Sequence, residues 1–178
     1  MSLTFCQAAL GHAFYGPYHD TEYGFPQREE AVLFERLVLE INQAGLSWLT
    51  ILKKREAFTA AFEGFEVDKV AAYGPDEIAR LLGDAGIIRN RLKVAAAIEN
   101  ARRIQGLRAS HGSFAGWLDA HHPLSKAEWV KLFGKTFKFT GGEIVGEFLM
   151  SLGYLPGAHT EDCPRYKEIL AHDPPWAR

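Results

Sequence analysis

Cysteine is scarce in this chain: two among 178 residues, Cys6 and Cys163, near opposite ends. That excludes a disulfide-stapled scaffold. It leaves plain burial, a metal site or one end-to-end bridge as readings of the pair. Net charge is scarce too, at −2 with a pI near 6.4. A globally basic nucleic-acid binder is excluded, so any such contact must come from a local basic patch. No apolar run is long enough to cross a membrane, and the start MSLTFCQ does not read as a signal peptide. The expected location is the cytosol. Strict apolar–polar alternation never exceeds about five residues, below what a sheet protein shows. Repeats, low-complexity tracts and linkers are missing as well.

What remains is a helical pattern. The hydrophobic fraction is 47%, enough for a real core, and the length predicts one domain over residues 1–178. Residues 29–43 put Val32, Leu33, Leu37 and Ile41 on one face, with acids in the first turn. Ser47 is placed to cap a helix from Trp48 to Phe62. A short helix spans Val67–Tyr73 and stops at Gly74. Pro75 begins another, which Gly83 ends. A long alanine-rich helix is predicted over Ile87–Leu107 and a short one over 113–120. Ser125 and Glu128 form a capping box for 126–133. Gly142–Leu152 is apolar and helical with two acids, Glu143 and Glu147, and Cys163-Pro164 opens a last short helix.

Three stretches carry chemistry. Cys6, His19, His159 and Cys163 make a Cys2His2 set that suits tetrahedral Zn2+; the rival readings are two buried cysteines with two surface histidines, or a Cys6–Cys163 disulfide. Leu81–Lys93 stops a helix at Gly83, turns through Gly86 and restarts. Arg89, Arg91 and Lys93 stand near a helix N-terminus that could take a phosphate, or they are simply solvated cations on an ordinary connection. The third stretch is LEINQAGLSWLTILKKR, from Leu39 to Arg55. Glu40 stands in an apolar setting, Trp48 offers a flat ring and Lys53-Lys54-Arg55 closes the segment. The combination suits a pocket for a flat cationic ring beside a polyanion; the plain alternative is a solvent-facing acid and a core tryptophan.

QAGLSWLTILKKRE, YHDTEYG, DAGIIRNR and FKFTGGEI, in that order, resemble the bacterial 3-methyladenine DNA glycosylase I family over nearly the whole chain. The resemblance implies an all-α helix-hairpin-helix glycosylase fold with structural Zn2+ joining the termini, at about 1–24 and 153–178. The implied zinc ligands are Cys6, His19, His159 and Cys163. Glu40 matches the base-recognising glutamate, Trp48 the stacking tryptophan, Tyr18 the tyrosine at the adenine edge, and Tyr15 a second pocket tyrosine. Gln43 and Leu46 match the residues that wedge into the duplex, and Gly83–Gly86 the turn that grips the backbone, with Arg89, Arg91 and Lys93 beside it. The implied activity is flipping and hydrolytic excision of 3-methyladenine from alkylated double-stranded DNA by a monomer in the bacterial cytosol, leaving an abasic site. The family lacks the catalytic aspartate of other helix-hairpin-helix glycosylases.

This chain departs from the family at several points. Ala8 stands where a tryptophan is usual, implying a pocket that is wider or lined from elsewhere, and Tyr23 replaces a frequent tryptophan. Glu143 adds an acid after the FKF segment. Residues 153–158 keep the following ligand, His159, but not its usual polar neighbours. These changes motivate a second reading, a DNA-binding relative with altered lesion specificity or lost excision. A zinc hydrolase with an open metal position is a third, and four protein ligands argue against it.

Overall fold

The computed structural model describes residues 2–178, which form twelve α-helices and two 3-10 turns with no strand among them. No helix is long and apolar enough to cross a membrane. The architecture is the all-α one expected.

The centre is α3 (Glu30–Gln43). Leu33, Phe34, Leu37, Val38, Leu39 and Ile41 are buried on it, and so are the polar Arg36, Glu40 and Asn42. Polar groups on a helix covered on all sides are costly unless they find partners within the protein. Asn42 does so by donating from Nδ2 to the Val38 carbonyl at 2.8 Å. Arg36 donates to the Ser151 carbonyl at 3.3 Å.

Around this post the N-terminal segment forms α1 (Phe5–Ala9) and α2 (Tyr15–Thr21). Neither is long enough to show a period. The sequence does carry the start of α1, since Thr4 and Gln7 form a reciprocal capping box. The helix predicted over Trp48–Phe62 is broken into α4 (Trp48–Lys53) and α5 (Arg55–Ala61). Ser47 caps it as expected, accepting from the Thr50 N–H at 3.1 Å. The break at Lys54 turns Arg55 inward. Its guanidinium takes both oxygens of Glu22 at 2.6 and 2.7 Å and Glu35 at 2.7 Å. Of the basic run Lys53-Lys54-Arg55, Lys53 is exposed, Lys54 donates to the Ala85 carbonyl at 3.2 Å, and Arg55 is a fork between two acids.

After α6 (Val67–Ala71) come α7 (Pro75–Gly83) and the long α8 (Arg91–His111). The second of these starts at Arg91, not Ile87, because Asn90 caps it by accepting from the Lys93 N–H at 3.1 Å. Residues 84–90 form the link. At Gly86 an added Cβ would lie 2.9 Å from the Ala57 Cβ, so the link packs flush on α5 only with glycine there.

The remaining helices are α9 (Phe114–His121), α10 (Lys126–Thr136), α11 (Gly142–Ser151) and α12 (Pro164–Ala171). Phe114, Trp117, Trp129, Phe133 and Phe148 from the first three, with Phe137 at the end of α10, pack as one buried aromatic block. The Ser125–Glu128 capping box forms as predicted, with bonds of 2.8 and 3.2 Å. The chain ends meet: the Gly24 N–H donates to Ser151 and the Trp176 N–H to Gly153.

Candidate active site and metal centre

Between α3 and the N-terminal helices lies a cavity of about 350 Å3 lined by Leu3, Phe5, Ala8, Tyr15, Tyr18, Tyr23, Glu40, Gln43, Trp48 and Glu147. Ring packing shapes it. Trp48 meets Tyr18 edge-on at 5.3 Å, and Phe5 meets Tyr15 and Tyr23 at 5.3 and 5.2 Å. Tyr15 is set by His12, whose Nδ1 accepts from the Phe14 and Tyr15 N–H groups at 3.1 Å while its ring stacks on Tyr15 at 4.4 Å. The Arg36 guanidinium lies 5.3 Å from the Tyr18 ring centre, a buried cation behind the aromatic wall.

Glu40 is 3% exposed, and its Oε2 has no partner. The Tyr18 hydroxyl is also buried and unpartnered. Groups of this kind cost stability wherever nothing binds them. Burial pushes the Glu40 carboxyl up to about 8, with Glu147 adding to the rise and Arg36 opposing it. Burial raises the Tyr18 phenol as well. The solvent-facing alternative for Glu40 is overturned.

Tyr15, Tyr18, Glu40, Gln43 and Trp48 are thus brought together in one chamber. Leu46 stands apart from it, 43% exposed on the loop after α3. That loop is a tight turn: the Leu46 N–H donates to the Gln43 carbonyl at 2.7 Å, and Gly45 has φ +80°. Arg89 and Arg91 are exposed near the 84–90 link, beside Gly83 and Gly86, and make no ion pair among the described residues. The Gly86 N–H is engaged internally, donating to Asp84 Oδ1 at 2.8 Å. Lys93 is a correction. It is 5% exposed, and its ammonium donates to the Asn42 and Ala44 carbonyls at 2.8 and 2.7 Å. It closes the C-terminus of α3, where free carbonyls attract a cation, and does not face solvent.

Residues missed in sequence are Phe5, Arg36 and Glu147. Glu147 is the consequential one: it lines the chamber and also an adjoining groove shared with Glu40, Gln43, Ala44, Gly45, Glu143 and others. Glu143 is exposed and lines the groove only.

Beside the chamber, donor atoms of Cys6, His19, His159 and Cys163 all lie within 4.8 Å of one another. The thiols are free, so the disulfide reading falls. His159 Nδ1 is 3.7 Å from Cys6 Sγ and 3.4 Å from Cys163 Sγ, which lies 3.6 Å from His19 Nε2. The outer nitrogens are held too: His19 Nδ1 by Asp20 Oδ1 at 2.8 Å, and His159 Nε2 by the Tyr23 carbonyl at 2.7 Å. Such outer contacts fix which nitrogen points inward. The cluster joins the two chain termini.

A family model described as methyladenine glycosylase matches residues 8–166. The chain is 33% identical over 180 residues to the DNA-3-methyladenine glycosylase of Haemophilus influenzae, covering 90% of this chain and 97% of that one. It is 37% identical over 175 residues to DNA-3-methyladenine glycosylase 1 of Escherichia coli, covering 85% and 91%. A solved variant of 3-methyladenine DNA glycosylase I in complex with 3-methyladenine superposes with a TM-score of 0.78 at 33% identity, covering 88% of this chain and 95% of that chain. On sequence, coverage and fold together, the chain belongs to the methyladenine glycosylase family.

Proposed function

We propose that the protein excises 3-methyladenine from alkylated double-stranded DNA, acting as a monomer and leaving an abasic site. The observation that carries this is Glu40: a buried carboxyl with an unpartnered oxygen, set in an aromatic chamber. The named relatives support the reading.

N3-alkylated adenine in DNA is a cation. When its C1′–N9 bond breaks, the bond's electron pair enters the ring and neutralises it, so the base is a good leaving group. Water adds to C1′ and loses a proton. The enzyme's task is to extract the nucleotide and hold the ring. Trp48 and Tyr18 offer π faces to the cation. Glu40 offers an acceptor to the adenine N–H groups, and the cation in turn favours its ionised form. Tyr15 borders the ring, and Gln43 with Leu46 fills the gap in the duplex. Phosphates meet the Gly83–Gly86 turn with Arg89 and Arg91, giving the helix-hairpin-helix contact a local positive charge in an otherwise acidic chain. The chamber lining includes no lysine, which favours hydrolysis over Schiff-base chemistry.

Zn2+ is the ion for the Cys2His2 cluster. Zn–S near 2.3 Å and Zn–N near 2.0–2.1 Å give tetrahedral S···N edges of about 3.5 Å, and three of the four S···N separations here are 3.4–3.7 Å. Four protein ligands close the coordination sphere, so its part is to tie the termini together. The test is release of free bases from methylated DNA by the wild type and Glu40→Gln. Release of 3-methyladenine that the variant loses supports the assignment; no release from folded wild type overturns it.

A further inference from the structure

We propose that Glu147, held by Tyr23, is a second base-contacting carboxyl that makes the chamber selective for purines with a fixed positive charge. The inference rests on the excision reading above and adds to it a determinant of which bases are held.

Three observations carry it. First, Glu147 lines the same chamber as Glu40, although it comes from α11 and not α3. Its helix neighbours Val145, Gly146, Phe148 and Leu149 are buried in the core, and Glu147 alone of this run turns toward the cavity and groove. Second, it is aimed. The Tyr23 hydroxyl donates to Oε2 at 3.1 Å, and no protein hydrogen bond among the described residues reaches Oε1. Third, the chamber already shows the marks of a missing polar ligand, in the unpartnered Glu40 Oε2 and Tyr18 hydroxyl.

Electrostatics supplies the selectivity. Two carboxyls in one poorly solvated space oppose each other's ionisation, and burial raises both. Few cations offset them. Arg36 acts on Glu40 from behind Tyr18, and Glu22 Oε1 lies 3.6 Å from its Nη2. Lys126 draws Glu147 down only in part, while Glu143 pushes it up. A neutral purine leaves this repulsion in place. A purine with a permanent charge relieves it and takes a charge-assisted contact from each acid. Glu40 alone would recognise the donor edge; the second acid makes charge itself a condition of binding.

The test uses the full-length, metal-loaded protein and two probes, the adeninium cation methylated on both N3 and N9 and the neutral 9-methyladenine. Affinities are read from the change in intrinsic tryptophan fluorescence or from calorimetry. Glu147→Gln is expected to lower the cation-to-neutral affinity ratio about tenfold, and Glu147→Asp to restore part of it. Tyr23→Phe frees the carboxyl and is expected to lower the ratio by a smaller factor; it carries the test if Glu147→Gln does not fold. An unchanged ratio overturns the proposal, and so does equal weakening of both probes, which is what a packing role would give. Release of 3-methyladenine from methylated DNA is scored in parallel. Its absence from wild type fails the excision reading; its presence beside an unchanged ratio fails this inference alone.

Discussion

The aromatic block of α9–α11 and the aromatic chamber beside α3 use the same ring types to opposite ends. In the block, Phe114, Trp117, Phe133 and Phe148 meet one another at ring distances of 5.3–6.0 Å and are buried to 3% exposure or less. No carboxylate stands among them. In the chamber, Tyr15, Tyr18, Tyr23 and Trp48 leave about 350 Å3 open around two acids. Aromatic density alone thus marks packing. Rings with space and unpaired polar atoms between them mark binding, because close packing is the default of an interior and a maintained gap is not.

The sharpest way to break this contrast is to truncate one ring from each region. Phe133→Ala is expected to cost about 3–5 kcal/mol in urea unfolding, with the chamber chemistry of the folded fraction unchanged. Trp48→Ala is expected to shift the melting temperature by less than about 5 °C and to abolish most base release. A matching loss of stability would make Trp48 core. The Cys2His2 cluster tests the chamber wall next. Cys163→Ser is expected to lose bound metal and about 2 kcal/mol, some 4–8 °C in Tm; metal occupancy equal to wild type would remove Cys163 from the ligand set.

A finer test titrates the chamber. Glu40 is lifted from 4.5 to about 8 in the folded protein. The unfolded chain releases this proton near the lower value, so folding takes it back up between the two. Stability therefore falls as pH rises across that window, and the loss is complete above it. Glu40→Gln should flatten this part of the stability profile, measured by denaturation at pH 5, 6.5 and 8. Identical slopes would mean a solvated carboxyl. The smallest effect belongs to the surface: Arg89→Ala should lower the salt slope of DNA binding by about one, and an unchanged slope would move the phosphate contact elsewhere.

Much of this was legible in the chain. The capping signals at Ser47, Pro75 and Ser125 mark real helix starts, since they act on their own backbone and need no distant partner. The ligand set was weak by spacing, because its two pairs lie at opposite ends of the chain; family resemblance joined them. What stayed hidden depends on tertiary partners. Lys93 and Arg55 look like surface cations in a string of letters, and only the fold supplies the carbonyls and acids that draw them inward. Glu147 reads as one of two acids on an apolar helix, and only the rotation of α11 against α3 separates it from Glu143. The break at Lys54 has no glycine or proline to announce it.

Lys93 has a mechanical consequence. It belongs to α8, the helix that begins beside Arg89 and Arg91, yet its ammonium grips the two carbonyls that end α3 and start the Leu46 turn. If Arg89 and Arg91 grip phosphate and Leu46 wedges into the duplex, as proposed above, the handle and the tooth are bolted to one frame. A tooth so held would meet each base step at a fixed height and angle, and the step's own resistance would decide whether it yields. A weakened stack would give way where a sound one would not, so on this proposal the first sorting of bases would fall to the stiffness of the duplex, ahead of anything the chamber reads.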